Sequence, residues 1–315
     1  MSDTLTVFER TDRTADDVFF HKNDPNDRRL GDIVLTSPDD YASASVVLVG
    51  CPQDEGVHRN GGRTGAAHAP EAVRRCLYKL GTAGLEGLRL FDLGDTVIQD
   101  TLEETHEWHR QVIRHVLADG KTVVTLGGGN DVSYPDCAAL ADVEPDLLAF
   151  NVDAHFDVRA DLPRNSGTPY RQLLEEGLLA PDRFHEVGSQ PFANSPVYTR
   201  YLQEKGAHVI PLPAVRATGI SDTFTRILGE TDARAIFWGL DMDVVRASDA
   251  PGVSAPNPTG LFGEDLCTIA AIAGHDPRTR VLEISEVNPV HDIDQRTCRL
   301  AAAVIWHFLA APMGL

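Results

Sequence analysis

The stretch DLLAFNVDAHFD, residues 146–157, decides how this chain is read. Its first half is a short apolar run without the alternation of a half-exposed strand. It therefore reads as a strand buried on both faces, the kind found in parallel sheets covered by helices. Its second half carries Asp153, His155 and Asp157 at i, i+2 and i+4. On an extended chain all three side chains would point the same way. Carboxylate, imidazole, carboxylate on one face at a strand end is metal-ligand chemistry.

Similar apolar, β-branched runs recur at SVVLVG (45–50), LRLFDLG (88–94), TVVTLGG (122–128), AHVIPL (207–212), ARAIFWGLD (233–241) and VLEISEV (281–287). Helix-length segments at 101–118, 168–178, 196–205, 262–273 and 293–310 lie between or after them. Strands alternating with helices predict a three-layer α/β/α fold with a mainly parallel sheet. Residues 1–43 are polar and weakly periodic and read as an N-terminal arm. Residues 44–315 read as one domain, with no repeat, low-complexity tract or linker.

Open parallel sheets place their ligands beyond the carboxyl ends of the strands. Three more strand ends carry unusual residues. Trp238-Gly239-Leu240-Asp241-Met242-Asp243 sets two carboxylates at i, i+2, which would repel one another in a buried site unless a cation compensates them. Leu126-Gly127-Gly128-Gly129-Asn130-Asp131 lacks both the Walker ending and the G-x-G-x-x-G spacing, so nucleotide binding loses its warrant. Its glycines would let backbone approach a ligand closely. Glu283-Ile284-Ser285-Glu286-Val287-Asn288-Pro289 offers an acid suited to a cationic nitrogen. Four carboxylates and one imidazole form an oxygen-rich set that favours manganese over a thiolate-type metal.

These motifs, D-A-H-x-D, L-D-x-D and E-V-N-P in that order, resemble the ureohydrolase family of arginase, agmatinase and formimidoylglutamase, from Gly50 to about His307. The resemblance implies an arginase-like fold with two Mn²⁺ per subunit and a trimer or hexamer. Carried over, Asp153 and Asp241 would bridge both ions, Asp157 would complete the first site, and His155 with Asp243 the second. Asp157 would also move a proton, and Glu286 would meet the amidine nitrogens of the substrate. Asn130 stands where the family commonly has a His ligand; its amide oxygen would coordinate more weakly. Ser166 stands where arginases and agmatinases carry a proton-shuttling His. These features, with Arg59-Asn60-Gly61-Gly62-Arg63 and Val187 to Asn194, are most similar to the formimidoylglutamase branch. That branch hydrolyses N-formimidoyl-L-glutamate to L-glutamate and formamide. Other guanidine or amidine hydrolases (guanidinobutyrase, agmatinase, arginase) and a metal-poor, non-catalytic relative stay open as alternatives.

Charge narrows the substrate. Arg159 follows the metal motif, Arg171 follows Thr168-Pro169-Tyr170, and Arg63 lies in a glycine-rich loop. Such arginines can fork onto carboxylates. With Ser166 and Asn194 they form the expected substrate-binding set, fitting a small molecule with anionic groups at one end. Over the whole chain, 28 basic residues face 47 acidic ones, a net charge of −19, with four lysines. Such a surface repels phosphates, which argues against nucleic-acid binding, and suits a salt-rich cytoplasm. Five widely spaced cysteines without a C-x-x-C point to reduced thiols. No run is long and apolar enough to span a membrane, and the polar, acidic start lacks a signal-peptide pattern.

Overall fold

The computed structural model describes residues 6–85 and 87–314. Among them, nine strands form one sheet in the order β1-β3-β2-β4-β9-β8-β5-β6-β7. They are β1 (Thr11–Asp12), β2 (Val46–Gly50), β3 (Leu90–Thr96), β4 (Thr122–Leu126), β5 (Leu147–Val152), β6 (Phe184–Val187), β7 (His208–Ile210), β8 (Ala235–Asp241) and β9 (Thr279–Ser285). All neighbours run parallel except β1 against β3. The α-helices are α1 (Glu55–Arg59), α2 (Ala69–Leu77), α3 (Leu102–Ala118), α4 (Ser133–Val143), α5 (Pro169–Glu175), α6 (Pro196–Lys205), α7 (Leu212–Thr218), α8 (Ile220–Glu230), α9 (Gly263–His275) and α10 (Arg296–Ala310).

The sheet separates two apolar cores. One holds Leu48, Val124, Phe150 and Trp238 under α2 and α7 to α10. The other holds Val49, Val123, Ala149 and Phe237 under α3 to α6. This is the three-layer α/β/α arrangement that the strand–helix alternation predicts. The apolar runs locate seven strands but miss β1, two residues in the polar arm, and β6, whose four residues include His185 and Glu186. The helix-length segments find α3, α5, α6, α9 and α10 and miss α1, α2, α4, α7 and α8; α4 is buried along most of its length and so shows no polar face. Residues 7–43 form short 3₁₀ turns, whose Val7 and Tyr41 enter one core while Val18 and Leu30 enter the other.

On the α3–α6 side the four central strands change character in steps. Val123, Val281, Phe237 and Ala149 form an apolar floor. Two residues on, Thr125, Glu283, Gly239 and Asn151 lie side by side in register, with Glu186 of β6 beyond them. Two residues further, this period brings Gly127, Ser285, Asp241 and Asp153 to the carboxyl ends on the same face. A buried polar row thus underlies the residues expected to bind metal.

Candidate metal centre

The side chains of Asp153, Asp157, Asp241, Asp243 and His155 converge at the carboxyl ends of β5 and β8. Two ligand-type groups form there, Asp153 with His155 and Asp243, and Asp153 with Asp157 and Asp241; within each, the donor atoms lie within 4.8 Å of one another. The route differs from the extended chain expected. β5 ends at Val152, Asp153 Oδ1 accepts from the His155 amide at 2.7 Å, and Asp157 has a left-handed φ of 48°. Asp241 Oδ1 likewise accepts from the Asp243 amide at 2.8 Å. Side-chain turns of this kind, not strand alternation, gather the carboxylates.

Asp153, Asp241 and Asp243 are at most 3% exposed, and the one basic partner among these ligand-type groups is His155. Its Nδ1 lies 3.1 Å from Asp243 and 3.4 Å from Asp153. Asp243 first, then Asp153, holds His155 protonated well above the usual imidazole range. Burial pushes Asp243 up to about 6, and burial with the Asp153 charge pushes Asp157 up to about 8. Burial also drives Asp241 well above the ordinary carboxyl range. Asp243 Oδ1 has no hydrogen-bond partner. Crowded, desolvated carboxylates with an orphaned oxygen fit divalent cations, which would supply the missing positive charge.

Asn130 sits beside this group but not in the orientation of a ligand. Its Nδ2 donates to Asp157 at 2.7 Å and Asp153 at 3.3 Å, while its Oδ1 accepts from Ser133 at 3.0 Å and Ser285 at 2.9 Å. The expected amide-oxygen ligand is therefore replaced by a hydrogen-bond donor. Of the glycines before it, Gly128 passes so close to the Gln53 carbonyl that no side chain would fit. That close approach serves backbone packing, not a ligand. Glu286, at φ 62°, accepts from the Asn130 amide at 2.9 Å through Oε1, leaving Oε2 unpartnered.

A cavity of about 520 Å³ opens over these groups. His155, Asp157, Asp241, Asp243 and Glu286 line its floor, with Asn60, Arg63, Arg159, Ser166, Asn194 and Tyr198 around them. Arg159 is exposed and has no carboxylate partner among the described residues. Arg63 is held by backbone, donating to the carbonyls of Val253 and Ser254. Ser166 accepts from Asn60 at 3.0 Å.

One expected substrate contact, Arg171, is corrected, and another, Asn194, reaches the cavity with its amide already engaged. Arg171 lies outside the cavity, because α5 turns its guanidinium onto Glu175 at 2.6 Å and over the ring of Tyr201. Asn194 lines the cavity, but its amide is spent on backbone: Oδ1 accepts from Phe156 and Nδ2 donates to Ala154 and Gln190. It shapes the loop that carries His155. Sequence reasoning missed Asn60, Tyr198 and the buried Asn151, Ser133 and Glu186. Asn151, an amide inside an apolar strand, was the one visible signal.

The arginase family model matches residues 44–311. The chain is 34% identical over 299 residues to a formimidoylglutamase of Halobacterium salinarum, covering 91% of this chain and 95% of that one. Its fold matches the crystal structure of Trypanosoma cruzi formiminoglutamase with Mn²⁺ at a TM-score of 0.85 and 34% identity, over 91% of this chain and 99% of that one. It also matches the formimidoylglutamase of Bacillus subtilis at 0.86 and 28% identity, over 92% and 94% of the two chains. With its sheet order, its convergent carboxylates and this span of likeness, the chain belongs to the arginase family.

Proposed function

We propose that this chain is a manganese-dependent formimidoylglutamase that hydrolyses N-formimidoyl-L-glutamate to L-glutamate and formamide. The observation that carries the reading is the convergence of four carboxylates and one imidazole under a cavity whose mouth holds Arg159 without a carboxylate partner. The identity to formimidoylglutamases over nine-tenths of the chain supports it.

Asp153, Asp157, Asp241, Asp243 and His155 would hold two manganese ions, which would supply a water ionised near neutral pH. The chain's own residues supply the rest. Asp157 takes the water's proton on a carboxylate oxygen and delivers it to the departing nitrogen. Glu286 Oε2, free of other partners, accepts from the amidine N–H groups and fixes the carbon to be attacked. Arg159 forks onto a carboxylate of the glutamate moiety at the mouth, and Arg63 adds positive charge behind it. Agmatine, cationic at both ends, would be repelled there. The same reading takes residues 44–315 as the catalytic domain and 1–43 as its arm. It places a homo-oligomer, a trimer or hexamer, in the cytoplasm. Among the described residues no helix is long and apolar enough to cross a membrane.

The test is release of formamide and urea from formimidoylglutamate, arginine and agmatine with manganese present. Formamide release should lead by far. Faster urea release from arginine or agmatine would overturn the substrate assignment.

A further inference from the structure

We infer that Glu283 is carried as a neutral carboxylic acid and acts, through Ser133, as a positioning residue for the side-chain amide of Asn130. The inference rests on the metal-centre reading above and adds a role for a residue outside it.

The argument is a count of protons. Ser133 Oγ lies 2.8 Å from Glu283 Oε1 and 3.0 Å from Asn130 Oδ1. A hydroxyl has one proton, so it can donate to one of these oxygens only. Reversing the Asn130 amide would free Ser133 of one acceptor. It would also turn the amide oxygen onto Asp153 and Asp157, which its NH₂ group now faces. With the amide held this way, both Ser133 contacts are hydrogen bonds only if Glu283 brings a proton of its own. The relay then runs from the Glu283 O–H to Ser133 Oγ, and from the Ser133 O–H to Asn130 Oδ1. Ser285 donates to the same amide oxygen from the other side.

The surroundings agree. Glu283 is fully buried, in the middle of the polar row, and its Oε2 has no partner. Facing it are Ser133, Asp136 and Cys137 of α4, Asp131 of the turn before α4, Ser285 two residues along β9, whose hydroxyl goes to Asn130, Tyr170 of α5, Thr125 of β4 and Cys51 after β2. None of these is a cation. The nearby imidazole, His109, lies 2.8 Å from Asp136, not against Glu283. An ionised Glu283 would be a buried, unpaired charge beside two acids, an arrangement that burial strongly disfavours. Burial first, then Asp136, drives its carboxyl well above the ordinary range. The consequence for the site is a fixed donor: two hydroxyls clamp the amide oxygen, so its NH₂ group stays between the carboxylates that would hold metal. Partners of this kind typically change metal affinity 10–100-fold when removed.

The experiment compares the full-length wild type with Glu283→Gln and Ser133→Ala by infrared spectroscopy and manganese titration. The difference spectrum, wild type minus Glu283→Gln at neutral pH, should show the C=O stretch of one protonated carboxyl, over and above the band that Asp157 and Asp241 give to both proteins. Gln carries an N–H where the acid carries its O–H, so Glu283→Gln should keep manganese affinity within about threefold. Ser133→Ala, which breaks the relay, should weaken it by about tenfold. An unchanged infrared spectrum in Glu283→Gln would overturn the inference. So would a Glu283→Gln chain that fails to fold or binds manganese as poorly as Ser133→Ala. Wild-type protein that binds no manganese would instead sink the hydrolase reading, since the infrared band is scored without metal.

Discussion

Two buried charge clusters in this molecule are built on opposite accounts. Around Arg74, which is fully buried, Asp92 accepts from the guanidinium at 3.0 Å, from Thr14 at 3.1 Å and from the Gly94 amide at 2.9 Å, with Tyr78 as a further donor; Asp95 takes a second guanidinium nitrogen. Every guanidinium nitrogen and both Asp92 oxygens find hydrogen-bond partners there within the protein. At the ends of β5 and β8, four carboxylates share one imidazole and leave an oxygen of Asp243 unpartnered. The first cluster closes the fold. The second is unfinished by protein alone, which marks it as a place where something else must bind.

The sharpest way to break this comparison is to neutralise one acid in each cluster. Asp92→Asn would leave Arg74 under-compensated and should cost about 3 kcal/mol of stability with or without metal. Asp241→Asn should do the reverse in chelator, raising the melting temperature by relieving repulsion. It should also remove hydrolytic activity by about 10³-fold or more, since a ligand of the reactive centre is lost. Thermal melts with and without chelator check both. Shifts of the same sign in chelator would erase the distinction.

A smaller effect is expected from pH. Unfolded aspartates titrate near 3.8, whereas Asp243 is raised to about 6 and Asp157 to about 8 in the folded chain. The folded state therefore holds extra protons across that interval, so stability in chelator should fall as pH rises through it. Bound manganese favours the ionised ligands and should flatten or reverse the slope. Melting temperatures between about pH 5 and 8, in chelator and in manganese, decide it; a chelated protein that gains stability over that range would contradict the reading.

The smallest effects separate two arginines that look alike in sequence. Arg159→Ala should raise KM for formimidoylglutamate by about tenfold with kcat little changed, the signature of a contact equal in ground and transition states. Arg171→Ala should leave kcat/KM within about twofold and cost about 0.5 kcal/mol through its lost Glu175 pair. Steady-state kinetics on both variants would expose an error if Arg171 proved the more damaging.

The strands and the ligand residues were legible because buried parallel strands are apolar runs, and acids placed directly after them stand out. What was illegible depended on direction. Nothing in Thr168-Pro169-Tyr170-Arg171 says which side of α5 faces the cavity, and Arg171 faces Tyr201. Nor does an Asn after a glycine turn reveal which end of its amide points at the acids; that is set by Ser133 and Ser285, distant in sequence from each other. The carboxylates converged for a reason the spacing did not supply, because an Asx turn at Asp153 replaced an extended strand. Glu186 and Asn151, hydrogen-bonded at 2.9 Å across β6 and β5, needed the sheet order to be seen as a pair.

The place of β9 has a consequence in time. Among the described residues it is the last strand, yet it lies between β4 and β8 and is the sole link between the β1–β4 and β5–β8 halves of the sheet. While the protein is being synthesised, those halves can each begin to pair, but no ladder joins them until residues 279–285 have left the ribosome. Asn130 belongs to one half, Asp153 and Asp241 to the other, and Glu286 follows the closing strand itself. The ligand carboxylates can therefore gather on β5 and β8 first, while the Asn130 amide and Glu286 reach them only once the closing strand is in place.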